Sequence, residues 1–224
     1  MKRTSERPVA GERISRFNAL LFGIVLNLAS FIILTYLTNM LAAMMAISGT
    51  LFYVLIYSIW LKKKTYHNIV IGGAAGALPP VIGWTIATGS ISVEPIILFL
   101  IIFLWTPSHF WALSLYKSSD YKKAKIPMLP IISGTKTTKV NILFYALMML
   151  PAIIAPYFLN FASVFYLAIS SMMSAYYVYL CLRLYRSKIA SISNKIARKI
   201  FIYSIFYLFF IFLILLIDNF LKII

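Results

Sequence analysis

Apolar stretches of about 20 residues recur from residue 17 almost to the carboxyl end, and each is long enough, at about 1.5 Å per helical residue, to cross a hydrocarbon core of about 30 Å. No other feature constrains the chain as strongly. In lipid the backbone must satisfy its own hydrogen bonds, so such stretches are read as spanning helices. Apolar length and polar breaks place seven of them at about 17–38, 40–61, 68–87, 93–116, 140–158, 162–184 and 199–219. Of the 224 residues, 62% are hydrophobic and 12% charged, against roughly 25% charged in a soluble average. That balance excludes a soluble enzyme core, a disordered chain and a secreted disulfide scaffold. The expected fold class is all-α, a polytopic helical membrane protein filling residues 1–224 as one domain, with no internal repeat.

The net charge of +16 would suggest nucleic acid in a soluble chain, but its placement assigns it to topology, and no nucleic-acid partner is expected. All of the 21 Lys and Arg except Lys222 fall before the first span or in alternate connectors around 61–68, 117–139 and 183–199. The connectors near residues 39, 90 and 160 carry none. Because Lys and Arg are retained on the cytoplasmic side, the pattern predicts a plasma (inner) membrane protein with its amino terminus in the cytoplasm and, after seven crossings, its carboxyl terminus outside. The single cysteine, Cys181, lies in an apolar run and reads as a packing residue. No removable signal peptide is expected at the start.

Three segments carry polar or helix-breaking residues where lipid makes them costly. The third span reads Gly72-Gly73-Ala74-Ala75-Gly76-Ala77-Leu78-Pro79-Pro80. Gly72 and Gly76, four apart, are expected to permit close helix approach, while the two prolines free the carbonyls of Ala75 and Gly76. Such a break is either a packing kink or the wall of a substrate cavity. In the fourth span, Trp105, His109, Tyr116 and, if the helix continues, Asp120 fall within about an 80° arc at 100° per residue. A titratable group inside the bilayer faces a cavity or a partner, so His109 is either a functional side chain or a hydrogen bond to a neighbouring helix. The basic connector from Lys117 to Pro130 contains one acid, Asp120. A carboxylate beside ammonium groups at the membrane face suits Mg²⁺ held against a phosphate ester.

The segments Met1-Lys2-Arg3-Thr4, Arg7-Pro8 and Gly11, Trp60-Leu61-Lys62, Asn68 to Trp84, Trp105 to Leu115, and Asp120-Tyr121 followed by Ile126-Pro127-Met128-Leu129-Pro130 closely resemble the protohaem IX farnesyltransferase (haem O synthase) family of UbiA-type intramembrane prenyltransferases. The resemblance runs through essentially the whole chain in one order. It implies transfer of a farnesyl group from farnesyl diphosphate to a vinyl group of haem B, with water, giving haem O and diphosphate. It implies a Mg²⁺ cofactor with Asp120 as catalytic carboxylate and metal ligand. Arg3, Arg7, Lys62 and Lys117 would bind diphosphate, and His109, Trp105 and Tyr116 would line the haem site. Partners implied are the bilayer and a haem A synthase or oxidase-assembly protein.

The same resemblance implies a nine-helix bundle whose first metal motif, an Asn followed by several Asp, lies between helices two and three. That motif and two helices would precede the stretch matched by Met1, so the domain is expected to be incomplete at its amino end. Either the start is an internal Met of a longer product or the gene is truncated. Competing classes are a transporter, which would pair intramembrane charges or show related halves, a catalytically silent remnant binding haem or an oxidase-assembly partner, and a quinone-type UbiA prenyltransferase.

Overall fold

A computed structural model describes residues 6–62, 64–124 and 126–223, with side chains as far as Leu221. The described residues are helical, in the order α1 (Arg16–Leu37), α2 (Met40–Leu51), α3 (Asn68–Gly76), α4 (Pro79–Thr88), α5 (Val93–Tyr116), α6 (Ser118–Lys123), α7 (Leu129–Ile132), α8 (Gly134–Phe158), α9 (Val164–Arg186) and α10 (Ala190–Ile223). Between α2 and the first basic connector the chain continues as a π-helix, Phe52–Leu61. Seven stretches, with α2 and the π-helix counted together and α3 with α4, are long and apolar enough to cross a membrane. The chain is a multi-pass membrane protein.

Two spans begin earlier than hydropathy suggests. Helix α8 starts at Gly134 and α10 at Ala190, because the polar turns Thr135-Lys136-Thr137-Thr138 and Ser191-Ile192-Ser193-Asn194-Lys195 continue the helix beyond its apolar segment. Length in apolar residues measures the lipid crossing, whereas the helix ends where its capping ends. At α2, Asn39 accepts a hydrogen bond from Ala42 N (2.9 Å) while its amide donates to Thr85 O (2.7 Å), joining the start of α2 to α4. Gly89, at φ 71°, ends α4 in the left-handed region that glycine tolerates.

Helix α5 is the centre. It packs against α8 and α10 on one side and α3 and α4 on the other, while α9 closes a tight bundle with α8 and α10. The main core lies in that bundle, around the fully buried Tyr166, Tyr177, Tyr207, Ile142 and Met149. Several buried polar groups are paired across it. Tyr177 shares a 2.7 Å hydrogen bond with Ser108, and Tyr207 one of 2.8 Å with Ser174. Lys139 is not a connector lysine. It is buried, and its ammonium donates to Ser187 O (2.8 Å) and Ser193 Oγ (2.7 Å), fastening α8 to α9 and α10. Cys181 is buried in the same core, as expected of a packing residue.

Candidate active site

The break at Pro79-Pro80 is both kink and cavity wall. Helix α3 ends at Gly76 because Pro79 and Pro80 have no N–H to continue it, and α4 restarts with those prolines in its first turn, where a missing N–H costs nothing. The carbonyl of Ala75 is not left free as the sequence suggests, since it accepts a 3.4 Å bond from Leu78 N. Beside the break lies an apolar cavity of about 610 Å³ lined from α2, the π-helix, α3, α4 and α5, including Tyr53, Tyr57, Gly76, Pro79, Trp105 and Thr106.

Close approach occurs at Gly72 and Gly73 rather than at Gly72 and Gly76. A Cβ on Gly72 would stand 2.3 Å from the Tyr57 ring, and one on Gly73 would stand 3.0 Å from Thr106 Cγ2. A Cβ on Gly76 would meet nothing within 4 Å, because that residue faces the cavity. The π-helix ends with Lys62 N donating to Tyr57 O at 2.9 Å, and the Lys62 ammonium sits 6.0 Å from the centre of the Tyr57 ring. Lys62 therefore stands beside a cavity-lining ring at the basic end of the bundle. Asn68, with 1% of its surface exposed, donates to Lys62 O at 3.2 Å and holds the two ends of this connector together. Its Oδ1 has no hydrogen-bond partner among the described residues. Sequence reasoning passed over Asn68; its signal was an amide at the mouth of an apolar span.

The face from Trp105 to Asp120 is not continuous. Helix α5 stops at Tyr116, Lys117 leaves the helical region at φ −109° and ψ 19°, and Asp120 belongs to the separate helix α6. Helix α6 contributes nothing to the lining of the first cavity, but the neighbouring Tyr121 shares a small buried cluster with Ile69, one of the residues that do line it. Asp120 is 55% exposed and 3.9 Å from the 53% exposed Lys117 ammonium, a pairing of small energetic weight. Arg7 is exposed in the turns before α1, and among the described residues it makes no ion pair with Asp120. Arg3 lies outside the described residues. No three His, Cys, Asp or Glu side chains gather as a metal site among the described residues. One hard carboxylate still fits Mg²⁺, which commonly takes one or two protein carboxylates with the substrate's phosphate oxygens.

Trp105 and His109 lie together, as their spacing predicts, on a second apolar cavity of about 630 Å³ between α4, α5 and α10, which also has Pro79, Pro80, Phe209 and Phe212 in its wall. Ile102, Trp105 and Pro79 border both cavities, so the two share a partition. Trp105 Nε1 donates to Ser204 O (2.9 Å), and His109 Nδ1 is 2.6 Å from Ser204 Oγ. The His109 ring is stacked between Trp105 (4.2 Å) and Phe201 (4.6 Å). Tyr116 meets Phe201 edge-on at 6.1 Å. His109 thus bonds a neighbouring helix, as one of its two readings expects, and it also borders a cavity.

Two apolar chambers thus share a wall, and one of them is lined by the Tyr57 ring that Lys62 stands beside. A solved structure described as a digeranylgeranylglyceryl phosphate synthase in membranes shares this fold, with a TM-score of 0.75 over 97% of this chain and 75% of that one, at 18% identity. The description of the UbiA prenyltransferase family matches residues 1–205, and the chain belongs to that family. It is 57% identical over 219 residues to a protoheme IX farnesyltransferase of Pelagibacter ubique, covering 98% of this chain and 72% of that protein. Proteins of the same name from Bartonella henselae and Parvibaculum lavamentivorans are 46% and 44% identical, each covering 98% of this chain and 70% and 69% of their own length.

Proposed function

We propose that this prenyltransferase is a protohaem IX farnesyltransferase, which joins the farnesyl group of farnesyl diphosphate to a vinyl group of haem B, with water, to give haem O and diphosphate. The observation that carries the reading is the 57% identity, through 98% of the chain, to a relative of that name. Residues 1–224 act as one membrane domain. The basic end faces the cytoplasm, since charge asymmetry of this kind sets orientation in the plasma membrane, and the carboxyl end faces outward. A haem A synthase or oxidase-assembly protein is the partner expected to receive so apolar a product.

In this reading the first cavity takes the isoprenoid, with its diphosphate at the basic end. Lys62 and Lys117, with Arg3 and Arg7 as further cations, offset the charge of the diphosphate, and Asp120 is the residue that would hold Mg²⁺ there. Mg²⁺ would supply further neutralisation of the leaving group. The apolar lining beyond Tyr57 keeps water from the allylic carbon, so that the acceptor's vinyl group is the nucleophile that reaches it. The acceptor occupies the second cavity, beside Trp105 and His109, while Tyr116 lies outside that lining and bears on it through Phe201, which stacks on His109. The shared wall supports this reading, because groups bound on its two sides would lie next to one another, where an enzyme gains from proximity.

Incubating the detergent-purified chain with haem B, farnesyl diphosphate and Mg²⁺, then separating the pigments, tests the reading. A new haem with the mass of haem O is expected. A prenylated quinone precursor formed in its place, or no prenylated haem at all, would overturn it.

A further inference from the structure

A groove of about 510 Å³ lies between α8 and α9, with Leu150, Ile153 and Ile154 on one side and Ala175, Tyr179 and Leu182 on the other. None of its lining belongs to the two chambers described above. Ala175 is exposed and Tyr179 has 51% of its surface exposed, so the groove opens sideways from two membrane spans, toward lipid. From Ser171 to Leu182 it follows α9 for about 16 Å at about 1.5 Å per residue. That is half of a hydrocarbon core of about 30 Å, the depth of one leaflet.

One end of the groove is basic. At 100° per residue its α9 lining occupies an arc of about 140°, and Arg186, one turn beyond Leu182, falls inside that arc. The Arg183 guanidinium lies 5.9 Å from the centre of the Tyr179 ring, and the Lys199 ammonium of α10 lies 5.7 Å from that of Tyr176, whose ring is 6.1 Å from Tyr179. Cation–π contacts of this length seat both charges at the rim. All three cations are exposed, and among the described residues none makes an ion pair. Neither α8 nor α9 contains an Asp or Glu. Retention of basic residues on one side of a membrane accounts for cations at this end. It does not account for seating them on tyrosine rings beside an apolar groove one leaflet deep.

We propose that the groove between α8 and α9 binds one anionic phospholipid, with an acyl chain along Tyr179, Ala175 and Ile154 and its phosphate among Arg183, Arg186 and Lys199. Charge complementarity selects this occupant. A zwitterionic lipid brings a further cation to the same place, and an apolar helix brings no anion. Guanidinium groups donate in pairs to phosphate oxygens, and basic pockets between spans bind anionic headgroups. Bound in this way the lipid joins α8, α9 and, through Lys199, α10, so it stabilises the closed bundle without entering either chamber.

Native mass spectrometry and lipid titration of the detergent-purified chain test this, with phosphatidylglycerol and phosphatidylcholine of the same acyl chains. Wild type should retain one phosphatidylglycerol, bind it at least 10-fold more tightly than phosphatidylcholine, and melt at a higher temperature with it. Arg183→Gln and Arg186→Gln should each weaken that binding by about 5-fold. Lys64→Gln, an equal loss of charge in another connector, should leave it unchanged. Ala175→Phe keeps every cation but fills the groove at an exposed position, and should weaken binding at least 10-fold. Equal affinity for the two lipids, equal losses in Lys64→Gln and the arginine variants, or unchanged affinity in Ala175→Phe would overturn the proposal. Inorganic phosphate binding as tightly as the lipid would overturn it too. So would a lipid-free dimer that Ala175→Phe dissociates, which would give the groove to a second copy of the chain.

Discussion

Helix α1 and helix α9 are both membrane spans, yet they relate oppositely to the rest of the molecule. The first has a mean hydropathy of 2.3 and no buried residue, whereas α9, at 1.4, buries a third of its span. Apolarity inserts a helix but gives it no reason to join another, because lipid tails are as apolar as leucine. Association follows small and polar residues instead. Serines, tyrosines and Lys139 knit α5, α8, α9 and α10 together, while the α2 to α4 region is drawn in by Gly49, Gly72 and Gly73 and retains a cavity. The contrast between a closed bundle and an open, cavity-bearing front half predicts where substitutions act on chemistry and where they act on stability.

The largest effect should fall at the front, with little change in folding. Asp120→Asn removes an exposed carboxylate whose described ion pair is the 3.9 Å contact to Lys117. Turnover should fall by roughly 100-fold, the scale set by losing one well-placed electrostatic group, while the thermal midpoint in detergent stays put. Normal turnover would take Asp120 out of the site. In the closed bundle the sign reverses. Asp218 on α10 is 3% exposed and accepts from Ser163 N (2.7 Å) and the Ser163 hydroxyl, where Ser163 caps α9. Asp218→Ala leaves a half-buried N–H without this partner and should cost about 3 kcal/mol, given about 1.5 to 3 for each bond to a charged group. Detergent unfolding curves would measure the loss, and an unchanged midpoint would mean that α9 needs no cap from α10.

The spans were readable because hydropathy is summed over about 20 residues and needs no partner. Contacts were not, because each depends on a residue far along the chain. Periodicity put Trp105 and His109 on one face, but nothing local names Ser204, 95 residues away, as the group that holds both. The run to Asp120 failed for a different reason. The helical period can be stepped past Tyr116 to Asp120, but the helix ends in a backbone turn at Lys117 that the period does not register. Lys139 looked like a connector cation because its serine partners lie 48 and 54 positions on.

Glycine spacing alone would treat Gly72 and Gly76 alike, and the structure separates them, which allows the finest test of the open front half. At Gly72 a methyl would fall 2.3 Å from the Tyr57 ring, so Tyr57 must shift away from α3. Overpacking of this kind costs about 1 to 3 kcal/mol, and Gly72→Ala should also disturb the cavity through Tyr57 and the Lys62 beside it. At Gly76 the methyl enters open cavity. Alanine's gain in helix preference, up to about 1 kcal/mol in a helix interior and less at an end, then has no clash to offset it. Gly76→Ala should therefore leave the thermal midpoint unchanged or slightly raised. Its one cost is a narrower first chamber, so it should weaken farnesyl diphosphate binding modestly and leave binding of a haem-type pigment in the second chamber untouched. Thermal midpoints and both affinities measured on the two variants decide the matter. A Gly76→Ala protein destabilised as much as Gly72→Ala would mean that α3 packs through both glycines and that the chamber beside Pro79 is closed by a helix contact.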